Sequence, residues 1–357
     1  MLPDRRHRRY EIQMETEKRK LQKDRIMSGI IRGLRPHAVT LAALILLIIL
    51  MSFAAPNFLT SGNIIDIIRI NSIKGIMCIG MTFVLLTGGI DLSVGAVFAV
   101  SGAVAASFIP GSYSDYVTSN LMKCNTILAI LIGLAAAGIL GLINGFVISK
   151  MKVEPFIATL AMMTFARGVT YLYTGGYPIN FKPLPDDFAW LGKGEILGIP
   201  VPAIVFILVI AAGGFILKYT AYGRSLFAIG GNKEAARLSG IATEKNLCVT
   251  YILMGVLSGL AGIIMTSRVA SASAVAGESY EMDVIAGVVL GGTLQTGGKG
   301  SVAGSVIGVF VFGVIENGLN ILGLPTYFKL IIKGLVIILA LGGRYILPQK
   351  KKEGKAK

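Results

Sequence analysis

The chain is built from apolar runs, each close to the length that crosses a lipid bilayer. About 20 apolar residues in helical form span the roughly 30 Å hydrocarbon core of a bilayer. Runs of this kind recur between residues 38 and 343, with polar segments between them. Only 15% of the residues are charged, whereas a soluble domain carries about 25%. The sequence therefore predicts an all-α polytopic membrane protein.

The apolar pattern divides into ten segments and predicts about ten transmembrane helices. The predicted transmembrane domain covers residues 36–343, between an N-terminal tail, 1–35, and a C-terminal tail, 344–357. One segment, 282–294, is too short to cross the bilayer alone as a regular helix. The others lie at about 38–55, 64–86, 126–148, 155–174, 201–218, 247–267, 301–320 and 327–343, with one more that ends near residue 108.

Basic residues concentrate in the two tails. The formal net charge is +15, of which residues 1–35 contribute +6 and residues 344–357 contribute +5. An excess of Lys and Arg beside membrane spans is typical of cytoplasmic segments, and such clusters also attract anionic lipid. The pattern predicts that both termini are cytoplasmic. Membrane topology therefore explains the positive charge, and a nucleic-acid partner is not needed to explain it. The chain also carries no recognisable nucleic-acid-binding motif.

Residues suited to metal or catalytic chemistry are scarce. The two histidines, His7 and His37, precede the first apolar segment, and the three cysteines are isolated, so we predict no metal site and no catalytic triad within the membrane. The phosphate-loop pattern also fails. Thr293 stands where its first glycine belongs, and Gly300 follows Lys299 where Ser or Thr is required. The sequence therefore predicts a protein that is not an enzyme and does not bind ATP through this loop.

The longest polar stretch between apolar segments lies within residues 219–246 and has the features of a short helix. Asn232 is a favourable N-cap, and Gly240 is placed to end the helix. Glu234 and Arg237 suit the two ends of the helix dipole. Such a helix could dock into a groove on a soluble partner, and a solvated loop with one capped turn is the alternative. The residues assigned to this element are Gly231, Asn232, Glu234, Ala235, Ala236, Arg237 and Gly240.

A glycine-rich break separates the second and third apolar segments. Gly88 and Gly89 interrupt the apolar pattern, and Asp91 follows just before the next helix. A charge at mid-bilayer costs about 2.5–3.5 kcal/mol, so each one needs a reason. Asp91 is expected to cap the third helix, with Ser93 helping to satisfy its first turn. It could also contact a transported solute, because broken helices often line transport sites.

A second intramembrane charge, Arg167, lies among apolar residues of the fifth segment. A buried cation needs a partner, and Asp283 and Glu281 are the candidates that charge alone suggests. A structural ion pair, or snorkelling of the side chain to the interface, would explain Arg167 without a transported solute.

Three further polar residues lie inside predicted spans, Glu316 and Asn317 in the ninth segment and Asn144 in the fourth. They could bind a polar solute or could bridge neighbouring helices, and the sequence leaves both roles open. The spans also contain many of the 45 glycines. Small residues let helix backbones approach closely, so we predict tight helix packing.

Four motifs occur together in a fixed order: residues 86–95 (LTGGIDLSVG), 155–160 (PFIATL), 230–240 (GGNKEAARLSG), and 280–286 (YEMDVIA) with the LGG at 290–292. With these motifs, residues 38–343 resemble the simple-sugar permeases of bacterial ATP-binding-cassette importers, most closely the ribose type. The long basic N-terminal tail is not part of the resemblance.

The resemblance implies a type II importer permease fold that works as a dimer, either of two identical chains or with a relative, in the bacterial plasma membrane. A separate cytoplasmic ATPase would bind ATP and Mg²⁺, and an extracytoplasmic sugar-binding protein would deliver the solute. The 230–240 stretch would be the helix that couples to the ATPase. A stand-alone secondary transporter or channel is the competing function. Candidate residues of the translocation path or gate are Gly88, Gly89, Asp91, Ser93, Asn144, Phe156, Thr159, Arg167, Asp283, Glu316 and Asn317.

Overall fold

The computed structural model describes residues 37–116 and 121–346. The predicted N-terminal tail and residues 347–357 of the predicted C-terminal tail lie outside these ranges. The described helices are α1 (Ala38–Ala54), α2 (Ser61–Leu86), α3 (Val94–Phe108), α4 (Thr126–Ser149), α5 (Pro155–Thr174), α6 (Asp186–Lys193), α7 (Val201–Tyr219), α8 (Ala221–Gly231), α9 (Lys233–Leu238), α10 (Thr243–Val269), α11 (Tyr280–Leu290), α12 (Val302–Ile321) and α13 (Thr326–Ile346).

Each of the ten predicted apolar segments coincides with one of these helices, which confirms the all-α character of the protein. Among the described helices, five are long and apolar enough to cross a membrane: α2, α4, α7, α10 and α12. The segment predicted at 282–294 forms α11, which has only 11 residues. At 1.5 Å per residue it is about 16 Å long, roughly half of the hydrocarbon core. That all ten segments cross the bilayer stays a prediction.

Helix α10 lies at the centre of the bundle and packs against α2, α3 and α4. Glycines make these close approaches possible. A β-carbon on Gly141 would lie 2.4 Å from the carbonyl oxygen of Tyr251, and one on Gly262 would lie 2.1 Å from that of Phe98. The predicted role of glycine in tight helix packing is therefore confirmed for α10 and its neighbours.

The start of α3, which follows one break in the helical pattern, lies against a second break. The first break is the 87–93 segment before α3, and the second is the 270–279 segment before α11. A β-carbon on Gly95, in the first turn of α3, would lie 2.2 Å from the carbonyl oxygen of Gly277. Helix α3 and the loop before α11 are therefore in backbone contact.

Short strands cover one end of the bundle. β1 (Ser112–Tyr113), β2 (Ile179–Phe181) and β5 (Ser271–Ala272) form an antiparallel sheet, and β3 (Glu195–Ile196) pairs with β4 (Ile199–Pro200). The sheet follows the C-terminal end of α10, whereas α8 and α9 precede its N-terminal end. Since α10 has 27 residues and is about 40 Å long, the sheet and the polar helix α9 lie at opposite ends of the protein.

Candidate functional site

The polar stretch forms the six-residue helix α9, with the predicted ends. The side chain of Asn232 accepts a hydrogen bond from the backbone N–H of Ala235 at 2.9 Å. Arg237 donates two hydrogen bonds to the carboxylate of Glu234, at 2.5 and 3.1 Å. Gly240 has a φ of 84°, a left-handed conformation that glycine adopts without strain. The predicted N-cap, ion pair and terminating glycine are therefore present.

Helix α9 is attached to the body through one buried residue and is otherwise exposed. Ala236 packs with Ile229 and Leu247, whereas the side chain of Leu238 is 75% exposed. The hydrogen bond from Arg237 lowers the pKa of Glu234, and the same bond raises the pKa of Arg237. The helix therefore presents a fixed ion pair and an apolar side chain outside the protein body.

A concave surface lies beside α9. A cavity of about 550 Å³ is lined by α4, by the start of α10 and by Arg237 of α9. Lys150 and Glu244 form an ion pair of 2.6 Å on its wall. The helix and this cavity together make a surface with charged and apolar groups that a second protein could contact.

The break before α3 is held by a buried chain of hydrogen bonds. Oδ1 of Asp91 accepts from the backbone N–H of Ser93 at 2.9 Å and from its hydroxyl at 2.6 Å. The Ser93 hydroxyl accepts from the side chain of Asn144 at 3.0 Å. The N-cap of α3 is Ser93 rather than the predicted Asp91. Asp91 orients the cap residue, because it bonds to the N–H of Ser93 and not to those of the first turn.

The two candidates in the PFIATL motif have different surroundings. The hydroxyl of Thr159 is buried and donates to the carbonyl oxygen of Pro155 at 2.9 Å, with a longer contact to that of Ile90 at 3.3 Å. Thr159 therefore joins α5 to the break before α3. Phe156, three residues earlier on α5, is half-exposed.

In the described structure Asp283 does not pair with Arg167, whereas Glu281 attracts Arg167 electrostatically without forming a salt bridge with it. Its guanidinium donates to the carbonyl oxygens of Ala274 and Ala276, the latter at 2.9 Å. Neither carboxylate forms an ion pair with Arg167 in the described part of the chain. The cation is instead satisfied by backbone carbonyls of the loop before α11.

Asp283 belongs to a charge cluster that joins four helices, in which Asp283 and Lys74 are buried and the other two members are partly exposed. Lys74 of α2 donates to Asp283 of α11 at 2.8 Å and to Glu316 of α12. Lys333 of α13 lies 2.7 Å from the other carboxylate oxygen of Asp283. The Lys74 ammonium also lies 4.8 Å from the ring centre of Tyr280. Two cations and two carboxylates thus compensate each other at a site where an unpaired charge would be costly.

Asn317, a candidate for solute contact, bridges two helices. Its side chain and that of Asn63 exchange hydrogen bonds of 2.8 and 3.0 Å between α12 and α2. Of the two roles that its sequence position left open, the structure shows the helix bridge.

Comparison with known proteins places this chain among transport proteins. The family described as "Branched-chain amino acid transport system / permease component" matches residues 63–341. The chain belongs to this permease family. The permease is 44% identical to the ribose import permease protein of Escherichia coli (strain K12) over 303 residues, which cover 84% of this chain and 91% of that protein.

Two further relatives extend the comparison. The ribose import permease protein of Bacillus subtilis (strain 168) is 43% identical to the permease over 95% of this chain and 98% of that protein. The D-allose transport system permease protein of Escherichia coli (strain K12) is 36% identical over 83% of this chain and 87% of that protein. No solved structure matches the permease.

The candidate residues of the permease fall into separate groups. Asp91, Ser93 and Asn144 meet at one break, and Asp283 and Glu316 meet through Lys74. Sequence reasoning missed Lys74 and Lys333 as partners. The signal for Lys74 is a lysine that lies directly before the long apolar stretch 75–86 of α2. Nothing local indicates which carboxylates, more than 200 residues away in the chain, would neutralise it.

Proposed function

We propose that this chain is the transmembrane permease subunit of an ATP-binding-cassette importer for a simple sugar, with ribose as the leading substrate. The observation that carries the proposal is the 43% identity to the Bacillus subtilis ribose import permease protein over nearly the whole of both chains. The family description names branched-chain amino acids. Relatives named for ribose and allose favour a sugar for this chain.

In this proposal α9 is the coupling helix, which docks into a groove on a cytoplasmic ATPase. Its exposed Leu238 and its Glu234–Arg237 pair support this role, because a capped helix that projects from the body is suited to groove binding. The ATPase binds ATP and Mg²⁺. This chain forms the translocation path and has no catalytic role of its own.

The proposed topology has ten membrane-crossing segments in a type II permease fold, with both termini in the cytoplasm of a bacterial cell. The position of α9 at the opposite end of α10 from the strand sheet supports it. Basic tails on the same side as α9 agree with the bias of positive charge toward the cytoplasm. A second permease copy completes the path, and a sugar-binding protein delivers solute to the sheet-covered end.

Transport follows from alternating access. Closure of the ATPase dimer displaces the two coupling helices, and the spans rock so that the path opens to one side at a time. Gly88 and Gly89 belong to the gate in this mechanism, and the flexible part of the gate begins after Gly88. Asp91, Ser93 and Asn144 hold the adjoining end of α3 in place.

Purification from native membranes in mild detergent, followed by mass spectrometry, tests the proposal. We expect a stoichiometric ATPase to co-purify with the wild type and to be lost from the E234K/R237E double variant, which keeps an internal pair but reverses the charges that face the partner. The control is R69E/E195R, which reverses an ion pair outside α9 and also removes the contact of Arg69 with Asp66; it is expected to retain the ATPase. A chain that purifies alone and moves sugar in vesicles without ATP would support the stand-alone transporter instead.

A further inference from the structure

Three backbone segments meet directly beside α9. The backbone N–H of Gly298 donates to the carbonyl oxygen of Leu86, the last residue of α2, at 2.9 Å. Gly230, in the last turn of α8, lies against both of these groups. We call this contact of residues 86–88, 230 and 296–298 the glycine junction. It joins the end of α2, the N-terminal side of α9 and the loop that leads into α12.

Gly230 leaves no room for a side chain in the glycine junction. A β-carbon at this position would lie 1.8 Å from the carbonyl oxygen of Leu86 and 2.4 Å from the nitrogen of Gly298. Both neighbours are backbone atoms and cannot rotate away as a side chain can. Any other residue at position 230 would force the three segments apart, so the close approach depends on the absence of a β-carbon.

The other side of the glycine junction has the same requirement. Gly297 has a φ of 86°, and a β-carbon on it would lie 2.8 Å from the Cα of Gly230 and 2.8 Å from the nitrogen of Gly88. Gly88 itself has a φ of 79°. Left-handed turns at these two positions bring the two loops onto the end of α8.

Gly230 is separated from α9 by only Gly231 and the cap residue Asn232. When α9 is displaced, its N-terminal side therefore acts first on the glycine junction. Membrane segments reached from this side of α9 are displaced only through that junction. Backbone packed on backbone is nearly incompressible, because interiors are close-packed and have few voids. The junction transmits movement with little loss, whereas flexible side chains in the same place would absorb it.

We propose that Gly230 is a positioning residue for transport, which keeps the coupling helix α9 in rigid register with the end of α2 and with the loop before α12. This inference rests on the proposed function, since it presupposes that α9 is moved by an ATPase. Gly230 does not contact the solute in this proposal. It determines how much of the movement of α9 reaches the break at residues 87–93.

The test is Gly230→Ala in the importer assembled with its ATPase and sugar-binding protein in liposomes. Alanine favours helix more than glycine does, so intrinsic helix propensity predicts a harmless or stabilising change. If the glycine junction has the proposed role, the variant still binds the ATPase and ATP is still hydrolysed. The amount of sugar imported per ATP falls by about tenfold or more, because a small displacement disturbs a precise arrangement. Import per ATP at the wild-type ratio would overturn the proposal.

Gly214→Ala is the matched control. Gly214 lies within helix α7, and a β-carbon there meets nothing within 4 Å. We expect import per ATP to stay within about twofold of the wild type. An equal loss in both variants would show a general intolerance of helical glycine replacement and would overturn the role of Gly230.

A second measurement uses the wild type, so it does not depend on how a variant folds. The amide of Gly298 should be protected from hydrogen exchange by its bond to Leu86. If the glycine junction moves as one unit, this protection persists in the assembled importer with and without ATP. Loss of protection on ATP addition would mean that the junction opens, which contradicts the proposal. Failure of the proposed function would appear differently, as a wild-type chain that assembles with no ATPase.

Discussion

The α9 surface and the charge cluster are stabilised in opposite ways. Helix α9 is held by neighbours in sequence, through the Asn232 cap and the exposed Glu234–Arg237 pair. The cluster is held by side chains that are distant in sequence, with Lys74 bonded to Asp283 at 2.8 Å. Water screens the first set of charges, whereas the central Lys74–Asp283 pair of the cluster is buried in low dielectric, where each charge depends on its partner.

This difference separates a surface suited to contact and movement from a region suited to holding helices together. The exposed groups of α9 can exchange water for a partner protein at little cost. The charge cluster cannot open without leaving a charge unpaired, so it binds α2, α11, α12 and α13 into one unit. Helix α2 connects the two regions, since Lys74 lies 12 residues, or about 18 Å, before the glycine junction at Leu86.

The largest loss of stability is expected from Asp283→Asn, which leaves Lys74 paired with Glu316 alone and removes the carboxylate that pairs with Lys333. Removing one partner from a buried ion pair typically costs about 3–5 kcal/mol, so the temperature of unfolding in detergent should fall sharply. The matched control is Asp66→Asn, which removes a half-exposed partner of Arg69 and should cost less than about 1 kcal/mol. Equal shifts in the two variants would mean that the buried ion pair contributes no more to stability than the exposed one.

Arg167→Gln is expected to have the next largest effect. It removes the charged donor to the carbonyl oxygens of Ala274 and Ala276. A hydrogen bond to a charged group contributes about 1.5–3 kcal/mol. Hydrogen exchange in the 270–279 segment should increase.

A double-mutant cycle tests whether Arg167 and Asp283 interact directly. Arg167 and Asp283 share no hydrogen-bond or ion-pair partner in the described structure, so the stability changes of Arg167→Gln and Asp283→Asn should add to within about 0.5 kcal/mol. A coupling well above that value would support the direct ion pair that the sequence suggested.

A smaller effect is expected at the Asn63–Asn317 bridge. Hydrogen bonds between helices in membranes contribute about 0.6 kcal/mol on average and at most about 1.7 kcal/mol. The cycle of Asn63→Ala and Asn317→Ala should give a coupling energy in this range, measured by unfolding in detergent. Zero coupling would mean that the amide pair does not bridge α2 and α12 in solution.

The smallest change in stability is expected when the pH is lowered, and it should be confined to helix α9. Because the hydrogen bond from Arg237 lowers the pKa of Glu234, the carboxylate stabilises the helix at neutral pH, and this contribution is lost as the pH falls through the lowered pKa. Hydrogen exchange of α9, corrected for its intrinsic pH dependence, should increase in acid. Glu234→Gln should abolish this response, while the unfolding temperature of the whole protein stays unchanged. A global shift would contradict the local character of α9.

Local features of the protein could be predicted from the sequence with good accuracy. The cap at Asn232, the terminating Gly240 and the break after Leu86 all occur where the residue pattern indicates. Each depends on residues within one or two turns. Asp91 was only partly anticipated, because the pattern could not show that its carboxylate orients Ser93 instead of capping the helix itself.

Long-range partners could not be predicted in this way. Charge alone made Asp283 a candidate for Arg167, but the fold brings Lys74 and Lys333 to Asp283 and two backbone carbonyls to Arg167. A sequence states which charges must be compensated. It does not state which of several distant groups will lie within bonding distance.

The sequence by itself determined the membrane class of this protein, its helical segments, the capped helix α9 and its membership in a permease family. These follow from hydrophobic length, local capping and extended similarity, which require no knowledge of distant neighbours. The tertiary structure alone decided the ion pairs of Lys74 and the glycine junction around Gly230. Both arise where segments far apart in the chain are packed together, and only the packed backbone determines which atoms are close enough to bond or to collide.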